Sequence, residues 1–181
     1  MFYKDKTAAK VVKEGKWDEK SCFRRVGGYD IDKTNLPKDM EYLPKGAVIA
    51  LNPDNGKAIL VKTAKVYEAA GKSAVSLKVA KGHNIVVGDN VNGSTVSAIV
   101  EGESFDTLTI SSLGEALQIN DVVSSIGNLQ VLGLNYATVR LDDMPSCTPT
   151  LQAWEIEEDS LPYPINKEIK EALTVRHAFK L

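Results

Sequence analysis

Apolar residues in this chain recur at every second position over short stretches, and each stretch ends in Gly, Asn, Asp or Pro. Period two with frequent turn residues predicts short, half-buried strands, and recurrent Gly argues against helices there. Ala47–Leu51 predicts the first strand of the compact part. Asn52-Pro53-Asp54-Asn55-Gly56 predicts a turn and Lys57–Lys62 a returning strand, so the pair reads as a hairpin. Ala64–Ala69 predicts a third strand. Thr95–Val100 predicts another, with Val96, Ala98 and Val100 on one face and Thr95, Ser97 and Ile99 on the other. Leu129–Leu134 and Tyr136–Leu141 follow, and Leu151–Ile156 adds a strand after the loop Asp142–Pro149. The one helical pattern is Ile165–Val175, where Ile165, Ile169 and Leu173 share a stripe. That stripe predicts docking on the same chain, with a neighbouring subunit as the alternative.

One pattern occurs twice. Ser76-Leu77-Lys78-Val79, a short loop and Val87-Gly88-Asp89-Asn90-Val91 are echoed by Thr107-Leu108-Thr109-Ile110, a short loop and Ile119-Asn120-Asp121-Val122-Val123. Each copy is a strand, a bend in which a turn residue precedes Asp, and a second strand. Gly88, Asp89, Asn120 and Asp121 therefore read as turn-shaping residues, the Asp side chains bonding the local backbone. Neither copy sets a nucleophile, a base or a metal ligand at a special spacing. The repeat predicts a surface rather than a reaction centre.

Residues 1–42 are poor in apolar positions and carry polar clusters such as Lys4-Asp5-Lys6 and Asp18-Glu19-Lys20. Lys6–Glu14 predicts a short helix ended by Gly15, and Gly27-Gly28 and Leu36-Pro37 add breaks. Trp17, Phe23 and Tyr29 are costly to leave in water without use. The segment reads as an arm that orders against a partner, with these three as contact residues. The chain thus divides into an arm (1–42), a β core (43–141) and a tail with a short helix packing on the core or a neighbour (142–181).

Composition narrows the function. Lys and Arg number 22 against 24 Asp and Glu, for a formal net charge of −2. That balance argues against a dedicated nucleic-acid binder, which carries a basic stripe. No apolar run reaches the roughly 18 residues needed to cross a bilayer. The first residues lack a signal-peptide core, so the reading is a soluble chain not exported by the usual route. Cys22 and Cys147 are too few for a disulfide framework and read as free thiols, with a single bridge between arm and tail as the alternative.

His83 and His177 lie in different regions, which gives zinc no close-spaced ligand set. His83 follows Gly82 in a loop, where a solvated or turn-capping role is expected. There is no Gly-x-Ser-x-Gly elbow and no phosphate-binding glycine loop. The acidic run Glu155, Glu157, Glu158 and Asp159 lacks a calcium-loop pattern and reads as a solvated edge. These residues imply no enzyme, no cofactor and no metal.

Leu43-Pro44-Lys45-Gly46, Ala58–Glu68, Leu77-Lys78-Val79-Ala80-Lys81-Gly82-His83 and Val87-Gly88-Asp89 together resemble the head-fibre proteins of tailed bacteriophages and prophages. They are also similar to the broader group of capsid decoration proteins, and Leu161-Pro162-Tyr163-Pro164-Ile165-Asn166 is of a type found in the same proteins. The resemblance implies a mainly β fold, with a small β-barrel or β-clip-like core, an N-terminal arm and a C-terminal helix. It implies a non-catalytic virion structural protein on the capsid exterior, bound to the major capsid protein, commonly as a homotrimer, and made in the bacterial cytoplasm. Contact with a host surface or glycan is a possible further role; nucleic acid and membrane are not expected partners. No heptad run is present, which favours a compact knob over a projecting fibre. On this reading, removing residues before Tyr42 should abolish binding to empty heads and leave a folded core. The alternative is a carbohydrate- or surface-binding β module of an adhesin, with Trp154, Tyr136 and Tyr163 as candidate exposed aromatics. A third reading, an enzyme on a small β fold, lacks a constellation to support it.

Overall fold

The computed structural model describes residues 13–34, 36–141, 145–173 and 176–180. The expected helix Lys6–Glu14 falls almost wholly outside them. The protein is mainly β, with 45% of residues in strands and 6% helical. In chain order the strands are β1 (Lys16–Arg24), β2 (Tyr29–Asp30), β3 (Tyr42–Leu43), β4 (Val48–Leu51), β5 (Ala58–Leu60), β6 (Thr63–Lys65), β7 (Ser76–Ala80), β8 (Asn90–Val91) and β9 (Ser94–Glu101). They continue as β10 (Phe105–Ile110), β11 (Val122–Ser124), β12 (Gln130–Leu134), β13 (Val139–Arg140), β14 (Ser146–Cys147) and β15 (Thr150–Glu157). A short 3-10 turn, helix α1 (Lys167–Leu173) and β16 (His177–Phe179) complete the chain.

Residues 63–125 form a barrel built from two copies of one unit. The four-stranded sheet β7-β10-β9-β8 curls as half a barrel. The antiparallel ribbon β11-β6 closes the other side. It joins β7 through a bridge between Val66 and Val79, and β8 through the Asn92 N–H donating to the Ser124 carbonyl at 3.0 Å. Each copy is three strands, β6-β7-β8 and then β9-β10-β11. Their pairings repeat: Val66 faces Val79 as Val96 faces Ile110, and Val91 faces Ser94 as Val123 faces Ala64. Leu77 pairs directly with Leu108, its own counterpart. Thr107 pairs with Lys78 and Ser76 with Thr109, which are equivalent pairs exchanged. A pseudo-two-fold axis therefore passes through the Leu77–Leu108 pair. Interior positions of so narrow a barrel are filled by side chains. Ala64, Val66, Leu77, Val79, Val91, Val96, Leu108, Ile110 and Val123 do this here and are all buried.

Two expectations change in register. The sequence repeat starts at Ser76, whereas the structural unit starts at Thr63. The strands that open the two copies share almost no residue types beyond Val66 and Val96. In β9, a shift between Thr109 and Ile110 of the partner strand breaks the simple alternation. Val96 stays buried, but Val100 points to solvent and Ile99 takes the half-buried place. One bulge exchanges the faces of everything beyond it.

The remaining strands wrap the other half of the molecule. β12 pairs with β4, and β4 with β5, giving the expected hairpin. β1 lies antiparallel to β15, and β15 parallel to β16. Helix α1 starts at Asn166, whose Oδ1 accepts the Ile169 N–H at 2.9 Å as an N-cap. Its Nδ2 donates to the Ser124 Oγ at 3.1 Å, tying the helix to the barrel. Ile165, Ile169 and Leu173 are buried with Trp17, Val61, Leu134 and Ile156, so the stripe docks on its own chain. The expected three-part division is arranged differently in space. The strand from the arm and the strand from the tail share one sheet, and the barrel occupies only 63–125 of the expected core.

Candidate functional site

The duplicated bend is the best-defined local structure. Asp89 N–H donates to the Val86 carbonyl at 3.2 Å, with Gly88 at φ +95° in the third position. Asp121 N–H donates to the Gln118 carbonyl at 3.2 Å, with Asn120 at φ +74°. A positive φ at that position suits Gly or Asn. In each bend the Asp side chain reaches back to the first residue. Asp89 Oδ2 accepts the Val86 N–H and Asp121 Oδ2 the Gln118 N–H, both at 2.6 Å. These four residues are brought together as two matching turns and not as one site. Val87 and Ile119, the residues at the tips, are exposed in both copies.

Asp89 does one thing that Asp121 does not. Its Oδ1 receives the Lys62 ammonium at 2.9 Å, and both side chains are buried. Burial pulls the Lys62 ammonium below the ordinary lysine value, and the Asp89 carboxylate opposes that pull. Lys62 lies in the link between β5 and β6, 27 positions from Asp89, so no local pattern announces the pair. Asn84 braces the same place, its Oδ1 accepting the Thr63 N–H at 2.8 Å.

Both histidines are structural in their contacts. His83 Nδ1 accepts the Ile85 N–H at 3.2 Å, a turn-capping role, although the ring is buried rather than solvated. Its Nε2 lies 3.3 Å from Asp106 Oδ2, and Lys81 binds Oδ1 of that carboxylate at 2.5 Å. Burial raises the Asp106 carboxyl, but Lys81 and the Gly102 N–H more than offset it, and the net direction is down. His177 bonds the Leu173 carbonyl through Nδ1 at 2.7 Å and Thr150 Oγ1 through Nε2 at 2.9 Å. Since a carbonyl only accepts, Nδ1 carries the proton and the Thr150 hydroxyl donates to Nε2.

Burial holds both imidazoles below the usual 6.5, for His83 against the pull of Asp106 and Glu101 and with Lys81, for His177 helped by Arg25. The unfolded chain therefore takes up protons first as pH falls. Stability is full above the unfolded value and is lost below it, by at most about 1.4 kcal/mol per histidine per pH unit. The urea midpoint at pH 5.5 should lie below that at pH 7.5. His177→Asn, which keeps a donor for Leu173, should flatten the difference, and an unchanged pH slope would remove His177 from the account.

The three residues expected at a partner contact separate. Trp17 is only 8% exposed and fills the core between the wrapped sheet and the helix, with the Lys45 ammonium 4.4 Å over its ring. It is spent on the chain's own packing. Removing residues before Tyr42 would take away β1 and vacate the Trp17 site, so that truncation does not leave an intact core. Tyr29 is half-buried, paired with Cys147 across β2 and β14. Phe23 is 59% exposed. It pairs with Gln152, two residues from Trp154, which is 49% exposed. Bulges interrupt the β1-β15 register on both sides of Phe23, and the two exposed aromatics lie close along that strand pair. Of the other aromatic candidates, Tyr136 lies under the Arg24 guanidinium at 4.8 Å. Burial and Asp39 push the Tyr163 hydroxyl up to about 12.

Cys22 and Cys147 are free thiols, and burial pushes Cys147 up to about 12, the range of an inert core thiol. Among the described residues no group of three or more His, Cys, Asp or Glu side chains could hold a metal ion. No helix among them is long and apolar enough to cross a membrane. Comparison of the chain with protein-family models, with curated proteins and with solved structures finds no match.

Proposed function

We propose that this chain is a non-catalytic structural protein of a tailed-phage virion, seated on the outside of the head and attached through the outward face of β1-β15. The observation that carries the reading is the pair Phe23 and Trp154. Two large aromatics stand exposed on the β1-β15 pair, and among the described residues β1 is an edge strand of its sheet. Aromatic side chains placed this way are typical anchors of a protein interface. An open edge can also accept a strand from a partner. The resemblance of segments between Leu43 and Asp89 to head-fibre and decoration proteins names that partner as the major capsid protein. The reading includes a homotrimer, in which attachment to a repeating shell multiplies modest single contacts.

The test uses empty heads assembled from the major capsid protein of the proposed virion. Wild-type protein should sediment with those heads. The double variant Phe23→Ser, Trp154→Ser should bind at least about thirtyfold more weakly, as expected for loss of an aromatic anchor pair. Its thermal transition should stay close to wild type, because neither side chain is in the core. Wild-type binding by the double variant would exclude this face, and failure of the wild type to bind would exclude the virion reading. The exposed Trp154 also favours the second reading, a glycan-binding adhesin module. Glycan-array binding lost on Trp154→Ser, without head binding, would establish it.

A further inference from the structure

A second feature lies on the other side of β15, where the end of β1, the middle of β12 and the turn before β16 meet around a small pocket. Its volume is about 210 Å³, and Arg25, Gly133, Ala172, Arg176 and His177 are among its lining residues. Arg25 follows the last residue of β1. Its N–H donates to the Pro149 carbonyl at 3.0 Å, and its Nε donates to the Leu132 carbonyl at 2.6 Å. The Arg25 side chain is thereby anchored at the pocket wall through its Nε. Arg176 is held by its backbone, its carbonyl accepting the Ala153 N–H at 3.0 Å. Among the described residues no carboxylate lies within ion-pair distance of either arginine, and none lines the pocket.

Arg25 and Arg176 thus bring two positive charges to the wall of one pocket, with no carboxylate among the described lining residues. The rest of the wall includes the apolar Val131, Leu132, Leu151 and Leu173. Gly133 and Ala172 leave the space that larger side chains would fill. Guanidinium donors match planar or tetrahedral oxyanions in geometry as well as charge. We propose that Arg25 and Arg176 form a binding site for a small oxyanion, a carboxylate or a phosphate. The site is separate from the Phe23–Trp154 face and does not depend on the reading given to it.

Thermal melting and isothermal titration of the full chain at pH 7.5 test this, with sodium phosphate and sodium acetate against sodium chloride at matched ionic strength. At least one oxyanion should raise the melting temperature saturably beyond chloride. Phosphate alone active points to a phosphate source, and acetate alone or both active to a carboxylate source. Arg176→Gln, an exposed position, should weaken that binding at least about tenfold, the loss of one charge-assisted hydrogen bond. Arg25→Lys keeps the charge but not the fork and should fall between. An equal response to chloride, or a full response in Arg176→Gln, overturns the proposal.

Discussion

Gly133→Ala is expected to leave little folded protein. Gly133 lies in β12 at φ +149°, a backbone conformation that side chains with a Cβ rarely adopt. A Cβ there would sit 3.0 Å from the carbonyl carbon of Thr150 and 3.1 Å from its amide nitrogen, and would overlap the carbonyl oxygen outright. These are backbone atoms at the start of β15, which cannot rotate away. Their position is fixed from several sides. Leu134 N–H donates to Thr150 Oγ1 at 3.0 Å, Tyr136 N–H donates to the Thr148 carbonyl, and Thr150 also holds His177. Strain at a forbidden φ and overpacking against backbone together cost about 4 kcal/mol. That is a large part of the roughly 5–15 kcal/mol by which domains are stable. Gly88→Ala is the control. Gly88 also has a positive φ, but an added Cβ meets nothing within 4 Å, so the cost is only the left-handed conformation, about 1–2 kcal/mol. Urea unfolding followed by tryptophan fluorescence compares the two. A Gly133→Ala midpoint no lower than that of Gly88→Ala would mean that β12 and β15 separate freely.

The contrast between these glycines also shows which parts of the fold the residues announce. Alternation and turn residues placed the β4-β5 hairpin, the strands of the repeat, β12, β15 and the helix stripe, because each depends on neighbours two to four positions away. The two Asp turns were legible for the same reason. Long-range packing was not. Trp17 sits in a polar stretch, and only its distance from Ala153, Ile156 and Leu161 in sequence, not its type, separates a core residue from an arm residue. Asn135 is a comparable case. It is buried, and its Nδ2 faces the carbonyls of Leu43, Pro44 and Ala137 at 3.2, 3.0 and 2.7 Å, joining segments about 90 residues apart. No local signal marks such a residue, since an Asn next to Leu and Tyr reads as a turn. Arg25 and Arg176 lie 151 positions apart, and only the pairing of β1 with β15 and of β15 with β16 brings them to one pocket. Phe23 and Trp154 come to one strand pair by the pairing of β1 with β15.

The two Asp residues of the repeat are alike in sequence and in turn geometry, yet Asp89→Asn is expected to be far more damaging than Asp121→Asn. Both substitutions keep an oxygen that can accept the N–H three residues back. Asp121 is exposed, so its replacement should cost no more than about 1 kcal/mol, the worth of a single hydrogen bond. Asp89→Asn also deprives the buried Lys62 ammonium of its carboxylate. Breaking a buried ion pair from one side costs about 3–5 kcal/mol, because the remaining charge stays away from water. Lys62 can escape part of that cost by losing its proton, since burial already holds it below the ordinary value of 10.5. Without Asp89 it should deprotonate more readily still. The unfolded chain then keeps its proton to higher pH than the folded one, so the stability of Asp89→Asn should rise with pH. Its deficit against wild type should narrow between pH 7 and pH 9. Lys62→Met in the Asp89→Asn background removes the buried charge and should restore part of the loss, whereas Lys62→Met in the Asp121→Asn background should not. Urea midpoints for the two single variants and the two doubles decide the matter. Equal losses at Asp89 and Asp121 would mean that the ion pair adds nothing beyond the turn. The duplication would then be symmetric in energy as well as in shape, and the pair with Lys62 would be incidental to the barrel's stability.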